Sequence, residues 1–104
     1  MLLEHIATEL ELTERHLIVL KKVIEEGPIG ILKLAEVTGM QNHKVRYSLR
    51  VLEQANLIRP SAQGAIPGDS VPNFLQDFER EISKINDKIS RIREIESTIP
   101  KQRI

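Results

Sequence analysis

The sequence has no cysteine and no tryptophan, and its 104 residues include only two phenylalanines and one tyrosine. Without cysteine the chain forms no disulfide, no thiolate nucleophile and no cysteine-based zinc site. No apolar run approaches the roughly 18 residues that indicate a membrane-spanning helix. The N-terminal segment, acidic from Glu4 onward, lacks the basic start and apolar centre of a signal peptide. These absences predict a cytoplasmic protein whose core consists of Leu, Ile and Val.

The patterns that support catalysis or metal binding are also missing. The sequence contains no Gly-rich phosphate loop and no nucleophile elbow. Its three histidines, His5, His16 and His43, lie on separate segments, and His16 is expected in solvent near the start of a helix. We therefore expect no enzymatic activity, no metal and no cofactor.

Positive charge is concentrated in one segment of an otherwise neutral or acidic chain. The formal net charge is zero, from 15 Lys and Arg against 15 Asp and Glu. Residues 40–60 contain four Lys or Arg and one Glu, whereas residues 1–39 contain four basic and seven acidic residues. Such an asymmetry predicts properties of the partner rather than of the fold. Residues 40–60 are therefore the candidate surface for a negatively charged partner.

Hydrophobic spacing predicts three helices in the first half of the chain. Thr13 is expected to cap a helix over residues 14–26, with residues 1–11 as a separate helical extension. A short second helix is expected to end at Gly39 in left-handed backbone. The third helix is expected to start at Gln41 or Asn42, each a possible N-cap, and to end at a left-handed Asn56.

A hairpin and a long helix are predicted for the remainder. Leu57-Ile58, a turn at Gln63-Gly64 and Ala65-Ile66 indicate a small hairpin, which completes the element order of a winged helix-turn-helix over residues 12–68. Apolar residues then recur at steps of three and four over residues 72–99, with Glu96 as the one polar interruption. These apolar residues are Leu75, Phe78, Ile82, Ile85, Ile89, Ile92 and Ile99. The expected fold is mainly α: a winged helix-turn-helix domain with a small β-hairpin wing and a long C-terminal amphipathic, coiled-coil-like helix.

The apolar stripe of the last helix requires a cover. It either folds back onto the domain or pairs with another chain, and a narrow stripe is more typical of a coiled-coil seam. We therefore expect a dimerisation helix and a homodimer. Ile at both core positions of the heptad leaves an antiparallel pair or a higher bundle open.

The third helix is expected to present its positive charge outward. Val45, Leu49 and Leu52 share one face, and the cationic residues lie on the other face and its flanks. Such a helix fits the major groove of DNA, where Arg binds guanine and Asn or Gln binds adenine. We expect base or sugar contacts from Asn42, His43, Arg46, Tyr47 and Arg50, and phosphate contacts from Gln41, Lys44 and Arg59. The alternatives are an ordinary solvated face and, for Tyr47, a place in the core.

These residues also carry a family resemblance. The string Val45-x-x-x-Leu49-x-x-Leu52-x-x-x-Asn56-Leu57-Ile58 resembles the recognition-helix-to-wing signature of winged helix-turn-helix regulators of the broad MarR/ArsR-like group, which commonly have Gly in place of Asn56. "HKVRYSLRVLE" followed by "LIRPSAQGA" is similar to small predicted archaeal transcriptional regulators with an added C-terminal helix.

The resemblance covers roughly residues 12–66. It implies sequence-specific binding of double-stranded DNA by a dimer, with the third helix in the major groove and the wing near the backbone or minor groove. The hairpin tip departs from the family pattern, because Gln63 and Gly64 are uncharged and Arg59 is the only cation at its base.

A second class of function fits the same elements. A winged domain with an Ile-striped oligomerisation helix also suits a protein-protein interaction scaffold that does not bind DNA. Zero net charge and the uncharged hairpin tip favour this alternative. A duplex-binding measurement separates the two hypotheses.

Overall fold

The computed structural model describes residues 1–103, which are mainly helical. The elements are α1 (Glu4–Glu26), α2 (Ile31–Thr38), α3 (Asn42–Gln54), β1 (Ile58–Arg59), β2 (Ile66–Pro67) and α4 (Val71–Ser97), followed by a 3-10 turn at Lys101–Arg103. The chain divides into two compact units, Met1–Pro72 and the segment from Asn73 onward. The predicted mainly helical chain with one small hairpin and a long C-terminal helix is confirmed.

The first helix begins at Glu4, so the predicted start near residue 14 is wrong. Thr13 lies inside α1, where its hydroxyl donates a hydrogen bond to the carbonyl oxygen of Glu9 at 2.9 Å, and it caps nothing. Residues 4–13 contain no Gly or Pro, and extending an existing helix needs no new nucleus. The predicted N-terminal extension is therefore the first part of one continuous helix.

The core of the first unit is aliphatic, as the composition predicts. Val19 and Val23 of α1, Leu34 of α2 and Val45 of α3 are completely buried. α1, α2 and β1 each pack against α3. The inner face of α3 is thereby held, while its opposite face remains at the surface.

The turn between α2 and α3 is held by local hydrogen bonds. Gly39 adopts the predicted left-handed conformation, with φ of 72°. The Thr38 hydroxyl donates to the carbonyl of Leu34 and accepts from the Met40 amide. Gln41 occupies the N-cap position, but its side chain makes no capping hydrogen bond. The turn is tight, and the N-cap side chain accepts no hydrogen bond from the first backbone amides of α3.

The hairpin is short and is attached to the chain before α2. Ile58 lies opposite Pro67 and Arg59 opposite Ile66 in the antiparallel pair. Backbone hydrogen bonds also join Ile29 to the residue that precedes β2. Gly64 has φ of 127°, and a Cβ there would lie 2.5 Å from the carbonyl carbon of Ile29. Only glycine suits this position, because both the backbone angle and the contact exclude a side chain.

The last helix ends earlier than predicted. Ile99 lies beyond Ser97, the final residue of α4, so its assignment to the helical stripe is wrong. The residue before a proline disfavours helical backbone, and Pro100 follows Ile99. The hydroxyls of Ser97 and Thr98 also bond to backbone carbonyls and so help to terminate the helix. None of the helices described is both long enough and apolar enough to cross a membrane.

Candidate nucleic-acid interface

The inner face of α3 differs from the predicted stripe at one position. Val45 and Leu52 are buried as predicted, whereas Leu49 is only half-buried. Ser48, which the hydrophobic pattern passes over, is completely buried between them. A polar group in this place requires a hydrogen-bond partner.

His16 of α1 is that partner. Its Nδ1 atom lies 2.8 Å from the hydroxyl oxygen of Ser48, so the prediction that His16 lies in solvent is wrong. Partial burial lowers the pKa of His16, the neighbouring Arg15 lowers it further, and Glu9 acts in the opposite direction. The neutral ring is therefore favoured. The bond joins α1 to α3 on the inner face of α3, where Val45 and Leu52 are also buried.

The outer face of α3 gathers six of the eight residues that the sequence predicts as DNA contacts. Four of them, spaced as i, i+3, i+4 and i+7, form a continuous surface that we call the α3 ridge: His43, Arg46, Tyr47 and Arg50. All four are exposed. Gln41 and Asn42 are exposed at the N-terminal end of the same helix. The ridge is about 10 Å long at the helical rise, the size of a surface that enters a DNA groove.

Tyr47 lies at the edge of the ridge rather than in the core. Its side chain is 43% exposed, and its ring centroid is 5.7 Å from that of His16. The two rings are tilted by 52°, and the same imidazole lies 2.8 Å from the Ser48 hydroxyl through Nδ1. Tyr47 therefore lies beside the His16–Ser48 pair and remains partly exposed.

Lys44 and Arg59 are not part of the ridge. Lys44 is half-buried on the side of α3 that faces α1, where it lines a cleft of about 400 Å³ together with Glu11 and Glu14. Arg59 is exposed on β1. The structure thus separates the two predicted phosphate-binding cations from the predicted base-contacting residues.

The four cations of this surface have no carboxylate partner. Among the side chains of residues 1–102, those of Lys44, Arg46, Arg50 and Arg59 form no ion pair. The same holds for Arg15, Lys21, Lys88, Arg91 and Arg93, whereas Lys22, Lys33, Arg80, Lys84 and Lys101 each contact a carboxylate. Glu53 is the one acidic residue of α3, and it contacts none of its cations. The positive charge of the ridge is therefore uncompensated at contact distance, which favours a polyanionic partner.

The same surface offers little to a metal ion. In the part of the chain that the structure describes, no three His, Asp or Glu side chains come together as a metal-binding group.

No protein-family model and no curated protein matches this chain. The three helices followed by an antiparallel hairpin are compatible with a winged-helix-like fold.

Proposed function

We propose that this chain is a dimeric transcriptional regulator with a winged helix-turn-helix domain that binds double-stranded DNA in a sequence-specific manner. The observation that carries the proposal is the α3 ridge, an exposed and unpaired cationic helix face directly after a tight turn. In this proposal α3 enters the major groove, whose width admits one helix.

The ridge contains side chains suited to base edges. Arg46 and Arg50 lie one turn apart and each has the planar fork that binds the O6 and N7 atoms of guanine. Asn42, at the first position of the helix, has the amide geometry that recognises adenine. His43 and Tyr47 contact bases or sugars beside them. Each of these side chains is exposed and needs no rearrangement of the core.

Phosphate contacts surround this surface. Gln41 and the uncapped amides of α3 are donors at the positive end of a helix dipole. Lys44 in the cleft beside α1 and Arg59 on β1 add positive charge outside the ridge. Glu11 and Glu14 line the same cleft as Lys44 and oppose a phosphate there, so Arg59 is the stronger of the two contacts.

A homodimer completes the proposed site. The exposed apolar stripe of α4 pairs two chains, and their α3 helices address half-sites about one helical turn, roughly 34 Å, apart. Two copies of the surface double the number of phosphates neutralised, so affinity falls steeply with salt.

The test is selection from randomised duplex DNA at about 0.15 M salt, a concentration that weakens purely non-specific binding. We expect the bound fraction to be enriched in a two-fold symmetric motif. Arg46→Glu/Arg50→Glu should abolish enrichment. Lys21→Glu/Lys33→Glu carries the same change of charge on other helices of the same unit and should retain it. Failure of the parent protein to retain any duplex would contradict the proposal.

The protein-protein interaction scaffold is the second candidate. The exposed Ile side chains of α4 and the uncharged hairpin tip, Gln63 and Gly64, are the observations that favour it. A scaffold predicts only weak association with DNA, lost near physiological salt and equal for the ridge variant and its control.

A further inference from the structure

The apolar stripe of α4 has a heptad arrangement with two unusual features. Its core positions are Leu75, Phe78, Ile82, Ile85, Ile89 and Ile92, which we call the α4 seam. Most of the seam is exposed in the single chain, including Ile85 at 43% and Ile92 at 48%. Each heptad has two core positions, and the residue just before the first of them lies beside the seam. We call these residues the flank of α4: Phe74 and Ile95 are apolar, and Glu81 and Lys88 are charged. A parallel pair gives this flank no consistent role.

An antiparallel pair explains all of these positions. When two such helices pair antiparallel, the first core position of one heptad faces the second core position of the other helix, and equivalent flanks face each other. With full overlap, Leu75 faces the partner's Ile92, Phe78 faces the partner's Ile89 and Ile82 faces the partner's Ile85. Every seam layer is then apolar on both sides.

The flank of α4 becomes complementary in the same register. Glu81 faces the partner's Lys88, and two-fold symmetry forms this ion pair twice. Phe74 faces the partner's Ile95, so the two apolar flank residues cover each other. Within the single chain Glu81 contacts Arg80 at 3.8 Å and Lys84 at 3.5 Å, but these exposed contacts are weak and leave the carboxylate available.

Helix length selects this register from the other antiparallel ones. α4 extends from Val71 to Ser97, so its midpoint is Lys84. The register described places the two-fold axis beside this residue, and the helices overlap along their whole length. A shift by one heptad places Lys88 against the partner's Lys88 and Phe78 against the partner's Glu96, and it shortens the overlap.

The parallel arrangement is disfavoured by charge and by side-chain shape. It would bring Lys88 close to the partner's Arg93, which repels it, and it would place Phe74 near the partner's Glu79. Ile at both core positions is also not the pattern of parallel dimers.

We infer that α4 binds α4 of a second copy of this chain, antiparallel and with full overlap, with Glu81 paired to the partner's Lys88. This inference rests on the dimerisation that the proposed function includes, and it adds the orientation, the register and the residues that select them. It makes no use of DNA binding.

Charge reversal in the full-length chain tests the register. Glu81→Lys and Lys88→Glu should each raise the dimer dissociation constant about three- to tenfold at low salt, because each places like charges together twice. The double variant Glu81→Lys/Lys88→Glu should return to within about twofold of the parent, since the pairs reform with reversed polarity. Arg91→Glu, the same charge change away from the contact, should alter the constant by less than about twofold.

The parallel arrangement predicts the opposite sign for one variant. There Lys88→Glu would remove repulsion with the partner's Arg93 and tighten the dimer. Tightening by Lys88→Glu, or failure of the double variant to recover, would overturn the inference.

Cross-linking gives a second readout, and the chain has no native cysteine to interfere. Leu75→Cys and Ile92→Cys are prepared separately, one of them with an affinity tag, then mixed, allowed to exchange and oxidised. We expect a covalent dimer only in the mixture. Cross-linking of each variant alone would indicate parallel pairing, and a dimer that does not cross-link in the mixture would indicate another register or another interface. Either result overturns the inference.

The mass of the parent protein in solution without DNA, and its retention of duplex, are measured on the same preparation. A dimer in the inferred register that retains no duplex leaves the pairing intact and removes the DNA-binding function. A monomer that retains duplex overturns the pairing and leaves DNA binding intact.

Discussion

The two most amphipathic regions of the molecule, α3 and α4, expose opposite faces. Val45 and Leu52 of α3 are 0% and 3% exposed, and the cations of the α3 ridge have no carboxylate partner among the residues described. On α4 the apolar face is exposed instead. Ile85 and Ile92 are about half exposed in the single chain. Arg80 and Lys84 contact carboxylates of their own helix, whereas Lys88, Arg91 and Arg93 contact none among the residues described.

This difference indicates what each helix has to bind. A helix whose apolar side is buried and whose charges are unpaired gains most from a charged partner. A helix whose apolar side faces water gains most from burying that side. The same amphipathic pattern therefore predicts a polyanion for α3 and another apolar helix for α4.

The largest effect on dimerisation is expected from a charge placed in the α4 seam. Ile85→Glu should raise the dimer dissociation constant more than about 100-fold, because two unpaired carboxylates would be buried in the pair. Ser90→Glu introduces the same residue on the outer side of α4 and should have little effect. Analytical ultracentrifugation measures both constants. An Ile85→Glu protein that remains dimeric would show that the seam is not the interface.

Two leucines of α2 sharpen the distinction between a buried and an exposed apolar residue. Leu34 is 0% exposed and Leu32 is 76% exposed. Leu34→Ala should lower the free energy of unfolding by about 2–5 kcal/mol, and Leu32→Ala by less than about 0.5 kcal/mol. Urea denaturation followed by circular dichroism measures both changes. Similar losses for the two variants would contradict the packing of the first unit.

Removal of single cations from α3 tests whether its surface reads sequence. Arg50→Ala should weaken binding to the selected duplex by about 1–3 kcal/mol and binding to random duplex by less, because a base contact is lost. Lys44→Ala should weaken both duplexes evenly, since phosphate contacts carry no sequence information. Fluorescence anisotropy on the two duplexes measures the difference, and Lys21→Ala is the control. Equal losses on both duplexes for Arg50→Ala would remove its base-reading role.

The smallest expected effect concerns the bond between His16 and Ser48. Because the pKa of His16 is lower in the folded chain than its ordinary value of 6.5, the unfolded chain takes up the proton more readily. The contribution of His16 to the free energy of unfolding is therefore fully present above pH 6.5 and is lost as the pH falls below that value. We expect a small loss of stability on acidification, seen in thermal melts from pH 8 to pH 5.

A pair of histidine variants isolates this contribution from other titrating groups. His16→Gln should remove the part of the acid sensitivity that comes from this residue, while His5→Gln, at an exposed position, should retain it. An identical pH dependence in the two variants would show that His16 does not titrate as the structure indicates.

Local signals made much of this fold predictable. Left-handed Gly39 and Asn56 and the turn at Gly64 follow from the backbone preferences of single residues. The outward face of α3 follows from the helical period, which needs only the position of Val45 and Leu52. These features depend on residues that are close together in sequence.

The sequence-based predictions that were wrong have two causes. One is competition between local signals, and the other is contact between residues that are distant in sequence. Thr13 is a good N-cap, but the continuous helix from Glu4 outweighs a local preference for a boundary. The bond between His16 and Ser48 joins residues that are 32 positions apart, so no spacing rule finds it. A serine within an apolar stripe was the available signal, because a buried hydroxyl requires a partner.

The length of α4 also determines a distance. In the inferred antiparallel pair, Asn73 lies level with the partner's Glu94, and the stretch between these positions measures about 32 Å at about 1.5 Å per residue. The two points where the chain enters the paired helices are therefore separated by nearly one repeat of B-DNA, roughly 34 Å. In this respect α4 acts as a molecular ruler: a heptad inserted at its centre preserves the seam and lengthens the separation by about 10 Å.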